Sequence, residues 1–120
     1  MKIAISCTDK SSEAKVDTRF GRAPYFAIYD TESQEFDFID NQQTLNTPSG
    51  AGIQAAQHVV NAGVSALLTG HCGPKAFKAM TAAGIKIFTN ASGSLKDAIA
   101  AFENKELTPA SEADVEGHWL

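Results

Sequence analysis

The chain predicts an α/β fold: one domain on a mixed five-stranded sheet of order 3-2-1-4-5, with three helices. Three observations lead there. Strand-like apolar runs and helix-period stretches succeed one another as β-β-β-α-β-α-β-α over 120 residues. The second and third runs are separated only by the polar turn Thr31-Glu32-Ser33-Gln34, the mark of a hairpin. The later runs are each preceded by a helix, so right-handed crossovers lay them parallel beside the first strand. With 43% apolar residues, a chain of this length buries about two thirds of its unfolded surface without needing a disulfide or a metal to fold.

In the first strand Ile3, Ile5 and Cys7 share one face. Tyr25 to Asp30 and Glu35 to Ile39 form the hairpin, and the alternating Phe36 and Phe38 suit an edge strand with one wet face. Val64 to Leu68 is nearly unbroken in its apolar character, as a parallel strand covered on both faces requires. Ile85 to Phe88 supplies the fifth, short strand.

The first helix is expected from about Gly50 to Ala62, with Ile53, Ala56, Gln57 and Val60 on one face, His58 facing solvent, and Gly63 as its stop. The second opens on Pro74 and buries Ala76, Phe77, Met80 and Ala83, with Lys75 and Lys78 outward. The third starts from Ser94 with Asp97 three residues on, and Leu95, Ala98, Ile99 and Phe102 line one side. Residues 1–107 are then the domain, and 108–120 a loose acidic tail that includes Gly117-His118-Trp119-Leu120.

Composition removes several functions. Ten basic and 14 acidic residues give a net charge of −4, so no overall positive field draws the chain to nucleic acid or anionic lipid. No stretch approaches the ~20 apolar residues of a membrane span, and the opening apolar run is too short for a signal peptide. A cytoplasmic location follows, in which two cysteines stay thiols and the sequon Asn90-Ala91-Ser92 is only a turn. Two cysteines and three scattered histidines do not provide the four close, paired ligands of structural zinc. The first strand also lacks the clustered carboxylates of a two-metal nuclease.

What remains points to an anion. Ligands of such sheets bind outside the carboxyl ends of the strands, where winding reverses, here between strands one and four. Cys7 ends strand one, and Gly70-His71-Cys72-Gly73 follows strand four, so both cysteines are expected at one crevice. The loop after strand one brings Arg19, Phe20 and Arg22 to the same end. Helix starts near Ser49-Gly50, Gly73-Pro74 and Ser92-Gly93-Ser94 offer backbone N–H groups to negative charge. His71-Cys72 followed by Lys78 also partly matches the H-C-x₅-R loop of cysteine phosphatases, but lysine stands where that chemistry needs the planar arginine fork.

The stretches "VDTRFGRAPYFAIYD", "SGAGIQAAQHVVNAGVSALLTGHCGPKAF" and "GIKIFTNASGSLKDAIAAFENKEL" resemble the dinitrogenase iron-molybdenum cofactor biosynthesis family over roughly residues 1–107. That family includes nitrogenase accessory proteins and orange-protein carriers of a molybdenum-copper sulfide cluster. The resemblance implies a ribonuclease-H-like fold and non-catalytic binding or carriage of an anionic molybdenum, iron or copper sulfide cluster. Such a cluster is either molybdenum-copper sulfide or an iron-molybdenum cofactor precursor, exchanged with a cofactor-assembly protein by a monomer or weak dimer. Members often carry cysteine in the arginine loop, where this chain has Ala23. The expected binding residues are Cys7, Arg19, Phe20, Arg22, Ser49, Gly50, Gly70, His71, Cys72 and Gly73, with His71 and Cys72 as the metal ligands. A small-anion sensor or an interaction module without metal is the competing reading.

Overall fold

The computed structural model describes residues 1–41 and 51–111. The strands are β1 (Lys2–Cys7), β2 (Tyr25–Asp30), β3 (Phe36–Asp40), β4 (Ala66–Leu68) and β5 (Lys86–Phe88). The helices are α1 (Ala51–Asn61), α2 (Pro74–Ala82) and α3 (Leu95–Glu103), with a short 3₁₀ turn at Phe20–Arg22. The sheet order is β3-β2-β1-β4-β5, as the alternation of runs predicts. β1 is antiparallel to β2 and parallel to β4, and β5 is parallel to β4. β1 is therefore the central strand, and its residues from Ile3 onward are buried on both faces.

The two faces carry separate cores. One gathers Ile3, Ile5, Cys7, Leu68 and Phe88 under α3, through Leu95, Ala98 and Ile99. The other gathers Ala4, Phe20, Phe26, Leu67 and Ile87 under α1 and α2, through Ala55, Ala56, Val59, Ala76 and Met80. Each fully buried large side chain contributes about 1.5–3 kcal/mol. Two cores on one sheet make a three-layer domain.

Local chemistry sets the ends of the helices. Gly63 follows α1 at φ +72°, the left-handed turn that glycine accepts without strain. At α3 the Ser94 hydroxyl accepts from the Asp97 N–H at 3.0 Å and the Asp97 carboxylate accepts from the Ser94 N–H at 3.3 Å, completing a capping box. Asn90 of the sequon takes a left-handed φ of +72°, and its N–H donates to the Gly70 carbonyl at 3.1 Å.

Four expectations need correction. The buried stripe of α1 is Ala51, Ala55, Ala56 and Val59, and Ile53 is 45% exposed. α1 packs closely against α2 and the 3₁₀ turn at Phe20–Arg22, a close approach that small alanines suit and the larger Ile53 does not. His58 is half-buried against Asn41 instead of facing water. Ala83 is the exposed C-cap of α2 and not part of its buried stripe. Beyond Leu107 the chain is not loose at once: Ala110 N–H donates to the Ile87 carbonyl at 2.7 Å and Pro109 bridges Phe88, which covers the outer edge of β5. The Gly117–Leu120 segment lies outside the described residues.

Candidate functional site

At the carboxyl ends of β1 and β4, the loop from Thr8 to Arg19 returns over the sheet and is fastened to it by hydrogen bonds. Ser6 of β1 holds Asp17 at two points: its carbonyl accepts from the Asp17 N–H at 2.8 Å, and its hydroxyl donates to the Asp17 carbonyl at 2.6 Å. The same hydroxyl lies 2.8 Å from that of Thr69, just beyond β4. Ser6 and Thr69 are fully buried, so this seam forms in a low dielectric where each bond holds firmly.

One step further out, the loop pairs with the turn after β4. His71 N–H donates to the Thr18 carbonyl at 2.8 Å, and Phe20 N–H donates to the His71 carbonyl at 3.2 Å. Arg19 and His71 thus form a short parallel bridge, and both are exposed. Phe20, fully buried with its ring 5.3 Å from that of Phe26, anchors the loop in the second core. Gly21 then lies against the first turn of α1, where a β-carbon would come within 3.1 Å of Gly52. This puts the half-buried Arg22 beside the start of α1. Gly73 is the N-cap of α2 and supplies no side-chain acceptor, and the exposed Lys75 stands in the first turn. The Arg19–His71 bridge and the Gly21–Gly52 contact thus draw the segments that carry Arg19, His71 and Arg22 together with the first turns of α1 and α2 into one edge, the rim.

Three residues not anticipated from sequence build this rim. Asp17, only 7% exposed, accepts from the Arg19 N–H at 3.0 Å and lies 3.5 Å from its Nε. Its signal was present, because an aspartate before a polar turn commonly ties the backbone two residues on. Asn41, fully buried, donates from Nδ2 to the Ala23 carbonyl at 2.7 Å, and its own N–H donates to the Pro24 carbonyl at 2.8 Å. Since Nδ2 is committed to Ala23, Oδ1 is the atom 2.8 Å from His58 Nδ1, so that ring nitrogen must carry the proton. Nothing local in the sequence marks Asn41 for this role. Thr69, third of the three, sits at the end of an apolar run and reads as its boundary.

The cysteines do not meet at one crevice. Cys7 lies in the α3-side core and Cys72 in the α1/α2-side core, both at 0% exposure. Alternation explains Cys72: with His71 turned to solvent, the next residue of an extended segment turns inward. Its Sγ donates to the Gly73 carbonyl at 3.6 Å. Burial pushes the Cys7 thiol up to about 11, against hydrogen bonding that favours the thiolate. A phosphatase nucleophile must be reached by its substrate, and Cys72 as placed is not. The α3 start also leaves the group, because its capping box consumes its own N–H groups on the opposite face. Ser49 and Gly50 lie outside the described residues.

The donor set can be tested against the two kinds of occupant. Among the described residues, no three of His, Cys, Asp and Glu are gathered closely enough to hold a metal ion. Every buried side-chain nitrogen and oxygen among them has a hydrogen-bond partner. The rim therefore offers cations and N–H groups, which fit a preassembled anion better than a bare metal ion.

An open α/β sheet with loops gathered beyond β1 and β4 and both thiols in its cores defines the class of domain, and none of its described helices is long and apolar enough to cross a membrane. The chain belongs to the dinitrogenase iron-molybdenum cofactor family, whose model matches residues 1–105. Its fold closely matches the apo form of the orange protein from Desulfovibrio gigas, at TM-score 0.92 and 35% identity, covering 95% of this chain and 96% of that one. A NifB-like protein from Thermotoga aligns at TM-score 0.82 and 34% identity, over 97% and 98% of the two chains. An uncharacterized protein of Methanocaldococcus jannaschii is 29% identical over 105 residues, 85% of each chain.

Proposed function

We propose that this protein binds and carries a preassembled anionic metal-sulfide cluster, of molybdenum-copper or iron-molybdenum type, and passes it to a cofactor-assembly partner without catalysis. The single observation that carries the reading is the hydrogen-bonded pairing of Arg19 with His71, which holds two exposed nitrogen-bearing side chains side by side at the carboxyl ends of β1 and β4. Family membership supplies the class of cargo. Arg19, Arg22 and Lys75 provide charge, His71 provides an imidazole, and the starts of α1 and α2 provide N–H groups. Cys72, Gly70, Gly73 and Phe20 shape the floor beneath them, and Cys7 packs on the far side of the sheet. In this reading the thiols are not the ligands.

Reconstitution tests it directly. Protein incubated with copper and tetrathiomolybdate, then desalted, is expected to keep visible charge-transfer absorption together with stoichiometric molybdenum. Protein that emerges colourless and metal-free would instead be a small-anion sensor or an interaction module.

A further inference from the structure

Asp17 does more than its turn requires. Its shorter contact, 3.0 Å from Oδ1 to the Arg19 N–H, is the bond by which an Asx side chain ties the backbone two residues on. An asparagine makes that bond equally well. The negative charge is the part of Asp17 that the turn leaves unexplained. That charge is fixed in place: both backbone groups of Asp17 are held by Ser6, and Ser6 is held in turn by Thr69. Arg19 is the movable partner, with a side chain 62% exposed and a guanidinium that meets the carboxylate only through Nε, at 3.5 Å. A lone contact that long orients the guanidinium weakly, so the main effect of Asp17 on an incoming anion is charge. The terminal nitrogens of Arg19 stay outside the contact and can grip an anion while the carboxylate behind them repels it.

We infer that Asp17 is a built-in counter-anion that lowers the affinity of the rim for its cargo, so that a carrier binding through Arg19 can also release what it holds. This inference rests on the anion-carrier reading above.

The experiment compares tetrathiomolybdate binding to the wild type, Asp17→Asn, Arg19→Gln and the double variant, by titration at low salt. Asp17→Asn keeps the acceptor for the Arg19 N–H and removes the charge, and it is expected to bind about fivefold more tightly, the gain shrinking as salt rises. In the Arg19→Gln background, where overall binding is weaker, the same change is expected to keep most of its fold gain, since the carboxylate repels the anion through space; a gain that vanishes there would overturn the charge mechanism. If Asp17→Asn does not fold, Asp17→Ser, whose hydroxyl can accept from the same N–H, replaces it. Wild-type protein that binds and an Asp17→Asn variant that binds equally or more weakly overturn the inference alone. Wild-type protein that takes up no tetrathiomolybdate overturns the carrier reading, and the inference with it.

Discussion

Gly70 packs against Thr18 so closely that a β-carbon on Gly70 would lie 2.6 Å from the Thr18 β-carbon and 2.7 Å from its carbonyl oxygen. That carbonyl is the acceptor of the His71 N–H. Only glycine lets the two segments come near enough for the bridge to form. Backbone atoms are among those met, so a rotamer change cannot relieve the clash. Gly70→Ala is expected to cost about 1–3 kcal/mol in urea denaturation, and to lower cluster uptake by displacing the loop that carries Arg19. A wild-type unfolding midpoint would show that the loop can retreat without loss.

Arg19 and Arg22 reach the rim from either side of Phe20, and they are expected to act through charge. Replacing both with alanine should weaken tetrathiomolybdate binding roughly tenfold at low salt, and much less in about 0.5 M salt, where screening has already shortened the reach of the field. Equal losses at both ionic strengths would indicate a shape effect in place of an electrostatic one.

The sheet was legible in the sequence because its evidence is local. Apolar runs at Ile3–Cys7 and Val64–Leu68, the hairpin turn and the Ser94–Asp97 cap each sit within a few residues of the structure they specify. The site was less legible because its bonds are long-range. Ser6 and Thr69 are 63 positions apart, and a buried serine in a strand looks like any polar residue on a wet face. Neighbouring strand ends suggest one crevice for Cys7 and Cys72, yet strand-end position does not fix which sheet face a side chain takes. The phase of α1 differs for a related reason: packing selects its alanines, although hydrophobicity alone favours Ile53.

Asn41 joins the end of the arginine loop to α1, through the Ala23 carbonyl on one side and His58 Nδ1 on the other. Asn41→Ala removes a buried partner from both and is expected to cost about 1–3 kcal/mol. His58→Ala should cost less, because the half-buried site admits water to take over part of the bond. Denaturation midpoints ordered the other way would show that the histidine, and not the amide, secures the loop.

Cys7 predicts how stability responds to alkali. Its folded-state value of about 11 stands above the ordinary 9.0, so between those values the unfolded chain loses the proton while the native chain keeps it. Stability from this group is therefore complete below about pH 9 and falls by up to about 1.4 kcal/mol per pH unit toward pH 11. Cys7→Ala is expected to be less stable at neutral pH and to show a shallower decline over that window. Parallel curves for the two proteins would place the alkaline sensitivity elsewhere, Tyr29 being the next group that burial raises.

Cys72 provides the test that separates a thiolate-ligated cluster from one held by charge. Its thiol is enclosed in the core that contains Phe20, Ala76 and Met80, one residue inside the exposed His71. To ligate a metal at the rim it would have to leave that core, which costs roughly the burial energy of a small apolar side chain and loosens the start of α2. Native protein should therefore react slowly with an alkylating reagent at both cysteines, at rates set by transient opening, and quickly in denaturant. Cys72→Val removes the sulfur while keeping an apolar side chain of similar size, and it is expected to retain copper-tetrathiomolybdate uptake. His71→Ala, which removes an exposed group of the rim, is expected to lower it. If Cys72→Val abolishes uptake while its unfolding midpoint stays near that of the wild type, the sulfur is a ligand, and the core around it must open when the cluster binds.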